Sequence, residues 1–104
     1  MELTTTETVP GREVESSLGI VKGNTVRARN VGRDLTQSIR NIAGGELKSY
    51  TGLLSDAREE ALERLADAAE AEGADAVVNV RFETSEIAQG SAEILAYGTA
   101  VTLA

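Results

Sequence analysis

The residues predict an α+β fold: a mainly antiparallel sheet of two hairpins plus a short N-terminal strand, with one short and one long amphipathic helix. Three observations carry this. Between Glu46 and Glu72 the apolar residues recur at helical spacing. On either side the chain changes to β-branched runs bounded by Gly, Pro and Asn. The strand-like and helix-like stretches also fall in separate blocks rather than alternating, which is the order of an α+β domain and not of a parallel α/β one.

Leu3 to Val9 alternates weakly and is rich in Thr, a short strand that Pro10-Gly11 ends. Val14 to Lys22 reads as a second strand and Thr25 to Val31 as a third. Lys22-Gly23-Asn24-Thr25 reads as the tight turn between them, because Gly and Asn tolerate positive φ. Gly32-Arg33-Asp34 breaks the strand and opens the short helix. Asp34 caps it, Gln37 completes a capping box, and Leu35, Ile39 and Ile42 form its apolar face up to Gly44-Gly45.

The long helix follows. At 100° per residue Leu54, Ala57, Ala61, Leu62, Leu65, Ala68 and Ala69 share one arc, with Leu47 and Tyr50 extending it backwards; Asp56, Glu59, Glu60, Glu63, Asp67 and Glu70 lie opposite. Gly73 closes the helix, and Gly52 inside it is a place for a kink. Ala76 to Phe82, extended through Glu86, is then a strand, Gln89-Gly90-Ser91 a turn, and Glu93 to Leu103 the last strand. With no repeat, linker or low-complexity segment, residues 1–104 form one domain.

Composition narrows the chemistry. The chain has no Cys and no His, so disulfides, thiol nucleophiles, thiolate metal sites and the commonest general base are all missing. Ser and Thr are plentiful, but no nucleophile–base pair of the usual kind can be assembled from them. Lys22 and Lys48 have polar or turn neighbours, and there is no GxGxxG or GxxxxGK. No catalytic, cofactor or metal site is read from the residues, and a non-enzyme is the expectation. The net charge of −7 repels phosphate backbones and argues against nucleic acid. No apolar run reaches membrane-spanning length and MELTTTETVPG has no signal-peptide character, so a cytoplasmic protein is expected. Two Lys against eight Arg, many Glu and many Ala also suit a salt-rich cytoplasm.

The last strand is apolar on both faces. Ile94, Ala96, Gly98 and Ala100 alternate with Leu95, Tyr97, Thr99, Val101 and Leu103. Helices on one side cannot cover both sets. Either the N-terminal strands close the second face or another copy of the chain does, and the pattern favours a homo-oligomer.

Several residues are candidates for a ligand or intersubunit polar site. Arg58 interrupts the apolar arc, and a buried guanidinium requires an anion, supplied by Asp34, Glu46 or Asp75 or by a bound ligand. Arg33, Asp34 and Arg40 sit near the start of the short helix, where backbone N–H groups and two guanidiniums could take a small anion; otherwise Asp34 is only a cap. Tyr50 could donate to a ligand or fill the core. Glu59, Glu63, Asp67 and Glu70 form a row that is either a divalent-cation site or, as the exposed geometry favours, a solvated face.

Thr4-Thr5-Thr6, Gly11, Gly19-Ile20-Val21-x-Gly23, Arg33-Asp34, Ile39-Arg40, Gly44-Gly45, Tyr50, Ala57-Arg58-Glu59, Gly73-Ala74-Asp75-Ala76-Val77-Val78 and Gly98-Thr99-Ala100-Val101 together resemble the YbjQ-like family over almost the whole chain. The resemblance implies a small α+β subunit in a ring-shaped homo-oligomer, typically a pentamer, of unsettled role and labelled "putative heavy-metal-binding". With neither Cys nor His, only oxygen ligands are on offer, which disfavours soft metals, and that activity is not carried over. The expectation is a non-catalytic homopentamer, a scaffold or binding module. The alternative is a binder of a small ligand or metal ion in intersubunit clefts, with oxygen ligands only.

Overall fold

The structure, a computed structural model, describes residues 1–28, 45–88 and 91–104. In chain order the elements are β1 (Glu2–Leu3), β2 (Val14–Ala28), a helix α1 (Gly45–Ala71), β3 (Ala76–Ala88) and β4 (Ser91–Leu103). The strands form one mixed sheet in the order β1-β3-β4-β2, with β1 parallel to β3 and the other pairs antiparallel. The α+β class holds, and α1 is the one helix among the described residues. The short helix expected from Asp34 to Ile42 lies outside them.

Two expectations about the N-terminal half are corrected. The first strand stops at Leu3, because the threonines that follow spend their hydroxyls on their own backbone. Thr6 N–H donates to Thr4 Oγ1 (3.2 Å), Thr4 and Thr6 share a hydroxyl bond (2.8 Å), and Thr6 Oγ1 donates to the Thr8 carbonyl (2.5 Å). Pro10-Gly11 does make the turn: Gly11 has φ 78° and Arg12 N–H reaches the Val9 carbonyl at 3.0 Å.

The second correction is larger. Lys22-Gly23-Asn24-Thr25 is no turn; β2 runs straight through it for 15 residues, paired to β4 up to Ala28↔Ser91. Gly23 is there because the helix passes over it. A Cβ at this position would meet the backbone nitrogen of Leu65 and lie 2.5 Å from the Ala61 carbonyl oxygen and 2.7 Å from the Arg64 carbonyl carbon. The irregularity in the strand comes four residues earlier, at a bulge between Ser17 and Gly19, where Gly19 takes φ 100°.

The long helix forms as its periodicity predicts and runs through Gly52 unbroken. It ends in a Schellman motif at Gly73 (φ 79°): Ala74 N–H donates to the Ala69 carbonyl and Gly73 N–H to that of Glu70, both at 3.0 Å. Its buried stripe is narrow and small: Ala57, Ala61, Leu65 and Ala69 are fully covered, with Leu54, Leu62 and Ala68 at the margins. Small side chains on the helix and a glycine on the strand let the two backbones approach closely. Val21, Val77, Val80, Ile94, Ala96 and Ala100 complete this layer. Thr25 is also sealed in it, its hydroxyl without a hydrogen-bond partner among the described residues.

On the other face of the sheet Val9 folds over Ala76, Val78 and Val101, so the N-terminal segment closes one end. The rest is open. Ile20 is 82% exposed and Val26 49%, and Leu95, Tyr97 and Thr99 are half-buried beside them.

Candidate functional site

Of the expected site residues, the structure describes the side chains of Arg58 and Asp75, and these two do not meet. Arg33, Asp34 and Arg40 lie outside the described residues. Glu46 and Tyr50 fall on the first turns of α1, where the backbone alone is described. Arg58 is exposed in the single chain and not sunk in the core, a correction with a clear cause. Because α1 lies over β2 and β4 and barely over β3, only the Ala57–Ala69 line is fully covered, and the flank carrying Leu54, Arg58 and Leu62 stays partly open. Asp75 does not pair with Arg58. Its carboxylate accepts the Leu103 N–H at 2.8 Å while its own N–H donates to the Val101 carbonyl, also at 2.8 Å. Asp75 therefore pins the start of β3 to the end of β4.

Two arrangements that sequence reasoning does not single out emerge instead. The first joins helix to strand. Glu60 holds Arg27 of β2 at 2.7 Å through one carboxylate oxygen and Arg64, one helical turn on, through the other; Arg64 also donates to the Asn24 carbonyl at 2.6 Å. The hydrogen bond from Arg27 chiefly lowers the Glu60 pKa; partial burial opposes this, and the charges of Arg27 and Arg64 reinforce it. The i,i+4 spacing of Glu60 and Arg64 was a visible signal; the Arg27 partner was not, because it needs the helix-to-strand register.

This clamp borders an open hollow of about 500 Å³ lined by Arg27, Asp56, Glu59, Glu60, Glu63, Arg64 and Asp67. Five carboxylates face two guanidiniums, and both arginines are already bound to Glu60. The acidic row expected on the helix is thus a solvated wall. Among the described residues no group of three or more such side chains is placed to hold a metal ion. The donor set consists of hard oxygens on an exposed helix face, which does not fit a soft heavy metal.

The second arrangement surrounds a bulge in β3. Between Val78 and Arg81 the strand carries one residue too many for β4, and Asn79 takes φ 55° to accommodate it. The N-terminal loop reads this bulge with its backbone: Asn79 N–H donates to the Thr6 carbonyl (3.0 Å), Val80 N–H to that of Thr4 (2.9 Å), and the Arg81 guanidinium to those of Thr5 and Val80 (2.9 Å each). A small apolar hollow of about 170 Å³ opens beside it between Leu3, Thr4, Thr5, Leu62, Val80 and Phe82. Among the described residues neither arrangement pairs a nucleophile with a base. No helix among them is long and apolar enough to cross a membrane.

Comparison with known proteins agrees with the resemblance read from the residues. The family model YbjQ_1, described as "Putative heavy-metal-binding", matches residues 1–104. A UPF0145 protein of Halobacterium salinarum is 70% identical over 104 residues, the whole of both chains. A UPF0145 protein of Archaeoglobus fulgidus is 60% identical over 101 residues, 97% of this chain and 94% of that one. A crystal structure of a protein of unknown function from Pediococcus pentosaceus, of the DUF74 family, is similar with a TM-score of 0.66 at 16% identity, covering 100% of this chain and 98% of the other; at that identity the likeness is one of fold. Matched along its whole length and this similar to UPF0145 proteins, the chain belongs to the YbjQ_1 family.

Proposed function

We propose that the protein works as a non-catalytic cytoplasmic homo-oligomer, a pentamer as the family resemblance implies, acting as a scaffold or binding module. The observation that carries this reading is the unsheathed second face of the sheet. Ile20 and Val26 stand on it with Leu95 and Tyr97, on the side that α1 does not reach and beyond the end that Val9 covers. Apolar surface held in water at the centre of a strand is unfavourable by about 25 cal/mol for each Å² that a neighbour could cover. Native mass spectrometry at micromolar concentration tests the reading, with an expected mass five times that of the chain. A mass equal to one chain at that concentration removes it.

The second reading is a binder of a small ligand or metal ion in clefts between subunits, with oxygen ligands alone. Calorimetric titration with Ca²⁺, Mg²⁺ and Mn²⁺ decides it, and absence of heat from all three leaves the scaffold reading.

A further inference from the structure

The sheet has two unfinished edges. Among the described residues β2 is an outer strand, and along its 15 residues one side is paired, to β4. The outer side of β3 is covered by β1 and the threonine loop only from Ala76 to Val80; beyond that, among the described residues, Phe82 to Ala88 has β4 on one side and no strand on the other. Unpaired N–H and C=O rows of this length are templates for another strand.

The edges are also complementary in charge. Lys22 to Ala28 on β2 carries Lys22, and Arg27 already held by Glu60, and no acid; Phe82 to Ala88 on β3 carries Glu83 and Glu86 and no base. The signs match face by face. Lys22 lies level with Tyr97 and Glu83 with Leu95, both on the face away from α1. Arg27 and Glu86 lie level with Ala92, on the face toward it. Lys22 and every residue from Arg81 to Ile87 are exposed. Three exposed apolar side chains, Val26, Phe82 and Ile87, sit on these same two stretches.

Resting on the oligomer reading above, we infer that the copies join edge to edge, the outer side of β2 pairing with the free half of β3 in a second copy, with Lys22 facing Glu83. Because β2 and β3 both run antiparallel to β4, they run parallel to each other, and a neighbour that continues the sheet presents its β2 parallel to β3. The two edges differ, so the contact is heterologous. Each copy offers one of each, so the contact does not stop at two, and it gives the ring of the oligomer reading where the rotation between copies closes. The threonine loop, by occupying the first half of the β3 edge, sets where the neighbour's strand can begin.

Charge reversal tests this at about 0.15 M salt, where facing charges are only partly screened. Lys22→Glu and Glu83→Lys alter exposed side chains, and circular dichroism checks that each variant keeps its fold. Each reversal alone places like charges across the contact, so each should lose the assembled mass at micromolar concentration. The double variant K22E/E83K should regain it. One reversal makes the chain more acidic and the other less, so a loss in both cannot come from net charge. Singles that stay assembled overturn the edge contact while leaving the oligomer reading intact. Singles that dissociate without rescue in the double variant overturn the facing of Lys22 and Glu83. A wild-type chain that is itself a single particle overturns both this contact and the reading it rests on.

Discussion

Gly23 is where a single atom decides most. Its hydrogen faces the backbone of α1, and the groups a methyl would strike are the Leu65 amide, the Ala61 carbonyl oxygen at 2.5 Å and the Arg64 carbonyl carbon at 2.7 Å. None is the far end of a flexible side chain that could swing away. Overpacking against a rigid partner ordinarily costs about 1–3 kcal/mol, and with backbone on both sides the upper part of that range applies. Gly23→Ala should therefore lower stability by at least about 2 kcal/mol, read from the urea midpoint at fixed protein concentration. The same change at Gly11, where nothing lies within reach of a Cβ, would act only through its positive φ. If the Gly23 variant unfolds at the wild-type midpoint, helix and strand are not held at this distance. Gly23-Asn24 also shows why local sequence misleads here. Two residues that tolerate positive φ are the ordinary mark of a turn, yet the requirement Gly23 meets comes from a helix some 40 residues later in the chain.

Between elements, the clamp of Arg27, Glu60 and Arg64 ties α1 to β2, and its strength depends on pH. Hydrogen bonding from Arg27 above all, with the two guanidinium charges, holds the Glu60 carboxyl below its usual range. In the unfolded chain Glu60 recovers the ordinary value, so folding favours the ionised form. The stabilisation is complete above the unfolded pKa and is lost as pH falls through the depressed folded one. Stability measured from neutral pH downwards should hold level and then drop on entering the carboxylate range. Glu60→Gln should flatten part of that drop, and an unchanged acid limb would detach the clamp from stability. At this scale the chain was partly legible. The run from Glu46 to Glu72 could be read as a helix because its 3.6-residue period needs no knowledge of partners, and Gly73 marks its end locally. Arg58 could not be placed, because the width of the buried stripe depends on which strands the helix covers. The β3 bulge at Asn79 and the threonine loop that grips it were equally invisible, since the first is set by the register of β3 on β4 and the second by pairing between segments more than 70 residues apart.

For the whole molecule the governing quantity is charge. Seventeen acids against ten bases leave the chain at −7, and the outer face of α1 gathers Asp56, Glu59, Glu63, Asp67 and Glu70 along one side. Such a surface repels itself, and the repulsion grows when several copies meet. Added salt relieves this repulsion by screening. The Debye length falls from about 10 Å at 0.1 M to about 3 Å at 1 M, shorter than the spacing of most charges along the helix. The Tm should accordingly rise as KCl increases from 0.1 M through 2 M, steeply at first while screening improves and then more slowly as exclusion of salt from apolar surface takes over. The Arg27–Glu60 pair works in the opposite direction, weakening as salt rises, so the sign of the change reports which is larger. With seven uncompensated charges against one clamp, repulsion should dominate. A Tm that stays flat or falls with salt would mean that repulsion across the acidic surface does not limit stability.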